Sequence, residues 1–268
     1  MKYGFIGTGC MGGALATACA KAIGPEDILL SNRSPEKAQA LAEKLGAIPA
    51  DNEAITRDCD VIFLGVKPQT MAQMLLPLQP ILTGRRTPFV LVSMAAGVTI
   101  EALQGMAGGR YPVVRIMPNT ACAVGAGMTT YTCSAEVTDR QRQTVLDALA
   151  ASGLLEEIEE GLMGAASAVA GCGGAYACLF LEGLADGGVL CGLPRKKAQR
   201  MAAQMLLGMA TQALVSGEHT GALKDAVCSP AGSTIAGIRK LESMSFRSAA
   251  MEAVIAAWER EREIQQQK

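Results

Sequence analysis

The stretch "GFIGTGCMGG", residues 4–13, decides the fold because it sets three glycines at a fixed spacing between an apolar run and a helix-like segment. Gly7 permits a tight turn, Gly9 lets a ligand approach the backbone, and Gly12 allows close packing of strand and helix. The N-terminus of the following helix offers free N–H groups and the positive end of its dipole to a phosphate. This pattern predicts a dinucleotide site at the first strand–helix unit.

The residues of this loop are the first predicted cofactor contacts. We expect the cofactor to touch Gly7, Gly9, Cys10, Met11 and Gly12.

Strand-like and helix-like segments alternate over the first 160 residues. The predicted strands are 3–7, 27–32, 61–66, 89–94 and 112–117, with 127–133 as an added edge strand and 153–160 as the last strand. The predicted helices between them are 11–23, 35–45, 69–76, 99–105 and 138–152, the last capped by Thr138. Such alternation predicts an α/β fold with a Rossmann-type, doubly wound, mostly parallel sheet.

From Gly161 onward the strand-like runs disappear and helical segments rich in Ala, Leu and Met replace them. The predicted helices are 175–191, 195–215, 220–227, 233–242 and 246–264. We therefore predict two domains, a dinucleotide-binding domain over 1–160 and an all-helical domain over 161–268. The apolar surface of the second domain is too large for one small bundle to cover, which predicts at least a dimer.

Composition excludes several classes of protein. The 24 basic and 25 acidic residues give a net charge of −1, which argues against a nucleic-acid partner. The nine cysteines include no Cys-x-x-Cys pair, and His219 is the sole histidine, so no metal site is expected. We expect buried apolar thiols in a reducing cytoplasm, with His219 as a helix cap or surface residue.

One uncharged stretch, Gly161 to Leu181, has the length of a membrane span. It is flanked by Glu159, Glu160 and Glu182 rather than by lysines or aromatic anchors. We interpret it as a helix in a buried interface, and the N-terminus shows no signal peptide. No membrane association is expected.

The end of the second strand indicates which cofactor is bound. NAD-selective sites usually place a carboxylate about 20 residues after the glycines. Here the residues are "SNRS", 31–34, with Asn32 twenty residues after Gly12. Arg33 and the hydroxyls of Ser31 and Ser34 would attract a 2′-phosphate, although a solvated arginine at a helix start is the alternative. We predict NADPH, with NADH bound more weakly, and expect Asn32, Arg33 and Ser34 to contact the cofactor.

Three further segments should border the nicotinamide because ligands of doubly wound sheets bind at the carboxyl ends of the strands. They are 65–69, 93–99 and 117–122, which include Ala95 and Asn119. Asn119 could hydrogen-bond the carboxamide or shape the pocket. Lys67 is expected to be solvated or to face a phosphate rather than to act as a base. The shortage of strong acid–base groups suits hydride transfer to an activated imine.

The segment "SPAGST", residues 229–234, has two interpretations. It is either an ordinary capped helix start or an anion pocket that uses the free N–H groups of that helix.

The chain resembles the 1-pyrroline-5-carboxylate reductase family, the last enzymes of proline biosynthesis. The motifs that carry the resemblance are "GFIGTGCMGGAL", "FLGVKPQ", "SMAAGVTI", "RIMPNTACAVGAGMT", "GGAYACLFLEGLADGGVLCGLPRKKA", "LKDAVCSPAGSTIAGIRKLE" and "FRSAAMEAV". The resemblance implies a Rossmann domain followed by a helical domain that interlocks with a second subunit, in a dimer or a ring of five dimers. The loop of the helical domain would face the nicotinamide in the active site of the dimer.

The resemblance also assigns residues. Ser229 and the backbone amides of Gly232, Ser233 and Thr234 would hold the substrate carboxylate, and the Thr234 hydroxyl would serve the ring nitrogen. Asn52 would contact the adenosine ribose or phosphates. The cofactor groove would be lined by Val66, Lys67 and Pro68. These assignments favour the anion pocket over the plain helix cap.

The chain departs from the family pattern at a few positions. Ala121, Gly174 and Thr220 replace usual prolines, Ala231 replaces a glycine, Cys172 a serine and Ser233 a threonine. Two other functions stay open at this stage, namely a reductase of another small imine or keto acid, and a cofactor-binding regulator without turnover.

Overall fold

The computed structural model describes residues 1–266, with side chains to residue 263, and its chain forms two compact units. The first unit is Met1–Cys172 together with the end of the chain from Ala257, and the second is Gly173–Ala256. The predicted domain boundary at 160 lies shortly after the last strand, which ends at Glu157 rather than at 160, and residues 160–172 still belong to the first unit. The functional division at 160 stays a prediction.

An eight-stranded sheet forms the centre of the first unit. Its strands are β1 Tyr3–Ile6, β2 Ile28–Ser31, β3 Ile48–Pro49, β4 Val61–Leu64, β5 Val90–Ser93, β6 Val113–Met117, β7 Gly127–Cys133 and β8 Gly153–Glu157. The strand order is β3-β2-β1-β4-β5-β6-β7-β8. All neighbours pair parallel except β6 and β7, which confirms the predicted doubly wound, mostly parallel sheet.

The strand β7 is not at the edge of the sheet, contrary to the prediction. It pairs antiparallel with β6 on one side and parallel with β8 on the other, so β8 is the edge strand at this end of the sheet. The short connection after β6 explains the antiparallel pairing, because a parallel neighbour requires a crossover of a dozen residues or more.

Helices connect the strands of the first unit. They are α1 Cys10–Ile23, α2 Pro35–Leu45, α3 Asn52–Asp58, α4 Pro68–Leu75, α5 Gln79–Gly84, α6 Ile100–Ala107 and α7 Asp139–Leu149, and a further helix, α8 Met163–Ala166, follows β8. Local sequence sets several ends: Pro35 opens α2 and Gly46 ends it with a φ of 79°. Thr138 and Gln141 form the reciprocal capping box that begins α7.

Two apolar clusters cover the two faces of the sheet. Phe5 and Phe63 lie on one face, fully buried, with parallel rings 4.3 Å apart. Ile62 and Leu64 point to the other face, where they pack with Met71. Each such side chain contributes roughly 1.5–3 kcal/mol through its burial. The alternation along β4 therefore anchors both helical layers and holds the carboxyl ends of the strands in place.

The segment after β8 is helical but irregular. A 3₁₀ turn, Glu160–Leu162, leads into α8, and a π-helical turn, Ser167–Gly171, follows. These turns differ from the single helix that the uncharged stretch predicts. Turns with π geometry arise when a helix accommodates an extra residue, and they are frequent near functional sites.

The second unit contains helices only. They are α9 Gly173–Leu190, α10 Arg195–Ser216, α11 Thr220–Ala226, α12 Ser233–Ser243 and the first part of α13 Phe246–Gln266. All five were predicted to within two residues at each end. His219 is exposed and caps α11, its Nδ1 accepting from the Gly221 N–H at 3.0 Å, as predicted.

Many large apolar side chains of the second unit are exposed in this single chain, Leu190, Leu207 and Val215 among them. The helical stretch Glu160–Leu190 is long and apolar enough to cross a membrane by length and composition, with a mean hydropathy of 1.5. Only 11% of its apolar window is buried within the chain. A single chain therefore does not bury this stretch, and its burial in an interface stays a prediction about the assembled protein.

The cysteines are all free thiols, but the expectation that they are buried holds only in part. Cys19, Cys59 and Cys122 are buried, and burial raises the pKa of the Cys59 thiol to about 12. Exposed thiols are Cys10, Cys172, Cys178 and Cys191. The last three lie in or beside the helical unit, whose apolar surface is not covered within one chain. Among the described residues, no cluster of His, Cys, Asp or Glu could hold a metal ion.

Candidate active site

The glycine loop after β1 has the geometry that its spacing predicts. Gly7 has a φ of +100°, and a Cβ there would lie 2.7 Å from the carbonyl carbon of Gly65. A Cβ on Gly12 would overlap the Gly7 carbonyl oxygen, so the third glycine permits the close approach of α1 to the turn. Gly9 is exposed, and a Cβ on it would meet nothing within 4 Å. The middle glycine therefore leaves open space beside the backbone.

The N-terminus of α1 is free to bind an anion. In the described structure no side chain caps this helix, and its first turn carries no acidic residue. The first intrahelical bond made by the loop runs from the Gly13 N–H to the Gly9 carbonyl at 2.8 Å. The N–H groups of Cys10, Met11 and Gly12 come before this bond in the chain. They lie at the positive end of the helix dipole and have no partner within the helix. These donors fit the pyrophosphate of a dinucleotide.

The end of β2 presents a cation and polar groups. Arg33 is exposed, and Ser34 is half-buried at the start of α2. The Asn32 amide donates to the Ser34 carbonyl at 3.4 Å, so it is turned into its own loop. Arg33 is thus the charged side chain that this edge offers to a phosphate.

The Ser31 hydroxyl, expected to face a phosphate, is used inside the protein instead. Ser31 is buried, and its Oγ donates to the Asn52 Oδ1 at 2.6 Å. Asn52 is the first residue of α3 and is half-buried. No sequence pattern indicates this bond, because the two residues are 21 positions apart and α3 was not predicted.

The ends of β4 and β5 lie at the same edge of the sheet. The exposed Lys67 precedes α4, and its carbonyl accepts from the Thr70 hydroxyl at 3.0 Å. Pro68 opens α4, and Val66 packs against the apolar cluster beneath it. Ala95 is buried in that cluster, its N–H donates to the Ser93 hydroxyl at 3.4 Å, and its carbonyl accepts from the Val98 N–H at 3.3 Å.

The Asn119 side chain is held from both ends. Its Nδ2 donates to the Ala170 carbonyl at 3.0 Å, and its Oδ1 accepts from the N–H groups of Ala121, at 3.2 Å, and Met128, at 3.4 Å. These bonds favour the pocket-shaping role over direct binding of the carboxamide. They also tie the end of β6 to the π-helical turn.

The turn before α12, in the second unit, combines hydroxyls with a free helix end. Helix α12 has no side-chain cap in the described structure and no acidic residue in its first turn. The Gly232 N–H donates to the Ser229 carbonyl at 3.0 Å, so this predicted substrate donor is already used within the turn. The N–H groups of Ser233 and Thr234 come next and are the free donors of the first turn. Ser229 and Thr234 are exposed.

Two small residues shape this turn. A Cβ on Gly232 would overlap the Ser229 hydroxyl, so only glycine leaves that hydroxyl in place. Ala231 has a φ of +58°, in the left-handed region that favours glycine. The departure from the usual glycine at this position therefore places strain in the loop.

Comparison with known proteins identifies the family. Residues 160–264 match the family model for pyrroline-5-carboxylate reductase dimerisation, and residues 2–97 match the model for coenzyme F420-dependent NADP oxidoreductases. The pyrroline-5-carboxylate reductase of Escherichia coli K12 is 38% identical over 97% of this chain and 96% of its own length. That of Methanosarcina acetivorans is 39% identical over 98% and 97%. The chain belongs to the pyrroline-5-carboxylate reductase family.

Solved structures of this family support the fold of the whole chain. The crystal structure of Plasmodium falciparum pyrroline carboxylate reductase with NADP bound has a TM-score of 0.87 and 33% identity, covering 99% of this chain and 98% of that one. These comparisons confirm three predictions: the family, the Rossmann fold followed by a helical part, and the homodimer. The individual site residues stay predictions.

Proposed function

We propose that this member of the pyrroline-5-carboxylate reductase family reduces the C=N bond of 1-pyrroline-5-carboxylate to give L-proline, the final step of proline biosynthesis, at the expense of NADPH. The observation that carries the proposal is the turn 229–234, where two exposed hydroxyls meet an uncapped helix N-terminus. Generic dinucleotide-binding folds need no such feature.

The cofactor would be held by the first unit. The free N–H groups at Cys10, Met11 and Gly12 would bind the pyrophosphate, and Gly9 leaves the room for it. Arg33, Ser34 and Asn52 would hold the adenosine end, and Val66, Lys67, Pro68 and Ala95 would border the groove. Bound NADPH supplies the hydride for the reaction.

The substrate carboxylate would bind at the N-terminus of α12. Its partners would be the Ser229 hydroxyl and the N–H groups of Ser233 and Thr234, reinforced by the dipole of an eleven-residue helix. Gly232 serves by lacking a side chain, since a Cβ would displace the Ser229 hydroxyl. A neutral site of this kind binds the anion without an arginine.

Thr234 would act at the ring nitrogen. Reduction adds a hydride to the carbon of the C=N bond and a proton to its nitrogen. As the hydride arrives at a neutral imine, negative charge develops on the nitrogen, and a hydroxyl that donates a hydrogen bond there stabilises this charge while water supplies the proton. The substrate can also arrive protonated, so no strong acid is required. Catalysis would then depend on orientation and electrostatics.

The protein would work in the cytoplasm as a homodimer, and five dimers could close into a ring. The exposed Leu190, Leu207 and Val215 are consistent with a helical unit whose apolar surface is covered by a second copy. We expect no nucleic-acid partner and no membrane insertion. The near-zero net charge supports the first expectation.

Turnover tests the function directly. Purified protein mixed with NADPH and pyrroline-5-carboxylate should consume NADPH, seen as loss of absorbance at the nicotinamide band. Tight NADPH binding without turnover would instead support a regulator. Faster turnover of another cyclic imine would reassign the substrate.

Thr234→Ala tests the mechanism within that assay. We expect kcat/KM to fall about a hundredfold, with the Kd for NADPH unchanged. Thr211→Ala, an exposed threonine on α10 whose hydroxyl donates to the Leu207 carbonyl, is the matched control. Kinetics equal to those of the control would remove Thr234 from the mechanism.

A further inference from the structure

Ser31 connects two parts of the cofactor edge. Ser31 is 5% exposed and lies at the end of β2, beside Ile6 of β1. Its carbonyl accepts from the Gly7 N–H at 2.9 Å, and its hydroxyl donates to the Asn52 Oδ1 at 2.6 Å. One buried residue thus contacts both the glycine turn and an asparagine 21 positions later.

The backbone around Asn52 is independently fixed. The Ala50 N–H donates to the Leu30 carbonyl at 2.9 Å, and the Thr56 hydroxyl donates to the Asn52 carbonyl at 2.7 Å. The Asp51 carboxylate accepts from the Ala54 N–H at 2.6 Å. Because these bonds hold the main chain, the bond from Ser31 determines only the side-chain torsions of Asn52.

The direction of that bond sets the chemistry that Asn52 offers. Since the Ser31 hydroxyl is a donor, it holds the amide oxygen, and the Nδ2 points away with its two N–H groups. Asn52 is only half-buried, so these donors are accessible. A free asparagine would present its oxygen about as readily, and an oxygen repels a phosphate.

We propose that Ser31 is a positioning residue for the dinucleotide: its buried hydroxyl orients the Asn52 amide so that Nδ2 donates to the 2′-phosphate of NADPH. The inference deepens the proposed function and depends on it. Ser31 itself does not touch the cofactor.

A binding measurement without substrate tests this role. The Kd for NADPH is measured by the change in cofactor fluorescence for the wild type, Ser31→Ala and Ser31→Thr. Losing one hydrogen bond of ordinary strength corresponds to a weakening of roughly three- to tenfold, which we expect for Ser31→Ala. Ser31→Thr keeps the hydroxyl and should stay within about twofold of the wild type. In the turnover assay, KM for NADPH should rise in Ser31→Ala while kcat at saturation stays the same.

A double-mutant cycle separates positioning from general destabilisation. Ser31→Ala should have little further effect on the Kd in an Asn52→Ala background, because the amide that it orients is gone. Ser134→Ala is the control: its hydroxyl accepts from the Val113 N–H at 3.1 Å at the amino end of β6, the opposite edge of the sheet. Ser134→Ala should lower the free energy of unfolding and leave the Kd for NADPH unchanged.

The outcomes are distinct. A wild type that binds no NADPH contradicts the proposed function itself. A wild type that binds and turns over, with an unchanged Kd in Ser31→Ala or an equal loss in both backgrounds, overturns only the role of Ser31. If Ser31→Ala fails to fold, the variants Ser31→Cys and Asn52→Asp test the role instead. Ser31→Cys has a side chain of similar size with a weaker hydrogen-bond donor. Asn52→Asp keeps the acceptor for the Ser31 hydroxyl but replaces Nδ2 by an oxygen. Unchanged NADPH binding in both would refute the proposal.

Discussion

At the scale of single residues, Arg33 stands where NAD-selective proteins usually place a carboxylate. It is exposed at the end of β2, next to the half-buried Ser34 and in the loop that Asn32 braces. A guanidinium attracts a 2′-phosphate, and a charge-assisted hydrogen bond of this kind contributes about 1.5–3 kcal/mol.

Arg33→Ala should therefore weaken NADPH about tenfold or more and leave NADH within about twofold. Dissociation constants for both cofactors, measured by fluorescence, give the comparison. Lys44→Ala, an exposed cation in the last turn of α2, is the control. Equal weakening of the two cofactors would defeat the 2′-phosphate interpretation.

Ala231 gives a second prediction at this scale. Its φ of +58° costs an alanine roughly 1 kcal/mol that a glycine does not incur. We expect Ala231→Gly to raise the free energy of unfolding by up to about 1 kcal/mol in urea titrations. Ala236→Gly, inside α12, should lower it by about 0.5–1 kcal/mol. A loss in Ala231→Gly as large as that in the control would show that the turn is not strained.

At the scale of elements, the sequence predicted what local rules determine. Pro35 and Gly46 bounded α2, and Thr138 capped α7, because caps and turns act within a few residues. The two-residue strand β3 Ile48–Pro49 was missed, since a proline and an exposed pair carry no strand signal. The π turn was missed because its geometry follows from packing against the sheet rather than from periodicity.

The site was predictable to a similar extent. The glycine loop and the turn 229–234 were found because each is a contiguous motif. The bonds of Ser31 and Asn119 were not, because their partners Asn52 and Ala170 lie 21 and 51 positions away. Contacts of that range depend on the strand order, which sequence patterns fix only loosely.

Helix α9 provides a prediction of its own, since Gly174 replaces a usual proline in its first turn. A Cβ at Gly174 would meet nothing within 4 Å in this chain. Gly174→Ala should raise the free energy of unfolding by about 0.5–1 kcal/mol by removing backbone freedom from the unfolded chain. At Gly188 a Cβ would lie 3.3 Å from Ala198 and Leu193. Gly188→Ala should therefore raise the free energy of unfolding by less than Gly174→Ala does, or lower it. A loss of stability in Gly174→Ala would show that this position is contacted in the assembled protein.

At the scale of the whole molecule, a partly buried charged cluster lies where the end of α13 comes near the sheet. Arg115 of β6 has a side chain only 3% exposed and pairs with Glu160 at 3.1 Å. Glu160 also accepts from the Ile100 N–H at 2.7 Å. Glu261 of α13 lies near Arg115 and Ser167, and one of its oxygens is buried without a partner among the described residues. Leaving such groups incompletely paired in the interior carries a cost.

Glu261 makes stability depend on pH. Burial raises the pKa of its carboxyl above the ordinary 4.5, against the opposing effects of the Ser167 hydroxyl and Arg115. A raised folded-state pKa means that stability is greatest below the unfolded value and falls as the pH rises through the folded one. Relative to Glu261→Gln, the wild type should lose stability as the pH rises from the ordinary carboxyl value of 4.5 into the neutral range. Urea titrations across that range at fixed protein concentration would show it, and a difference independent of pH would contradict it.

A crystal structure with NADP and a saturated five-membered ring acid related to proline would show whether the neutral turn 229–234 binds the substrate acid. We predict the ring carboxylate within hydrogen-bond distance of the Ser229 hydroxyl and of the Ser233 and Thr234 N–H groups. A carboxylate bound away from residues 229–234, against an arginine or lysine instead, would show that the neutral turn is not the acid-binding site.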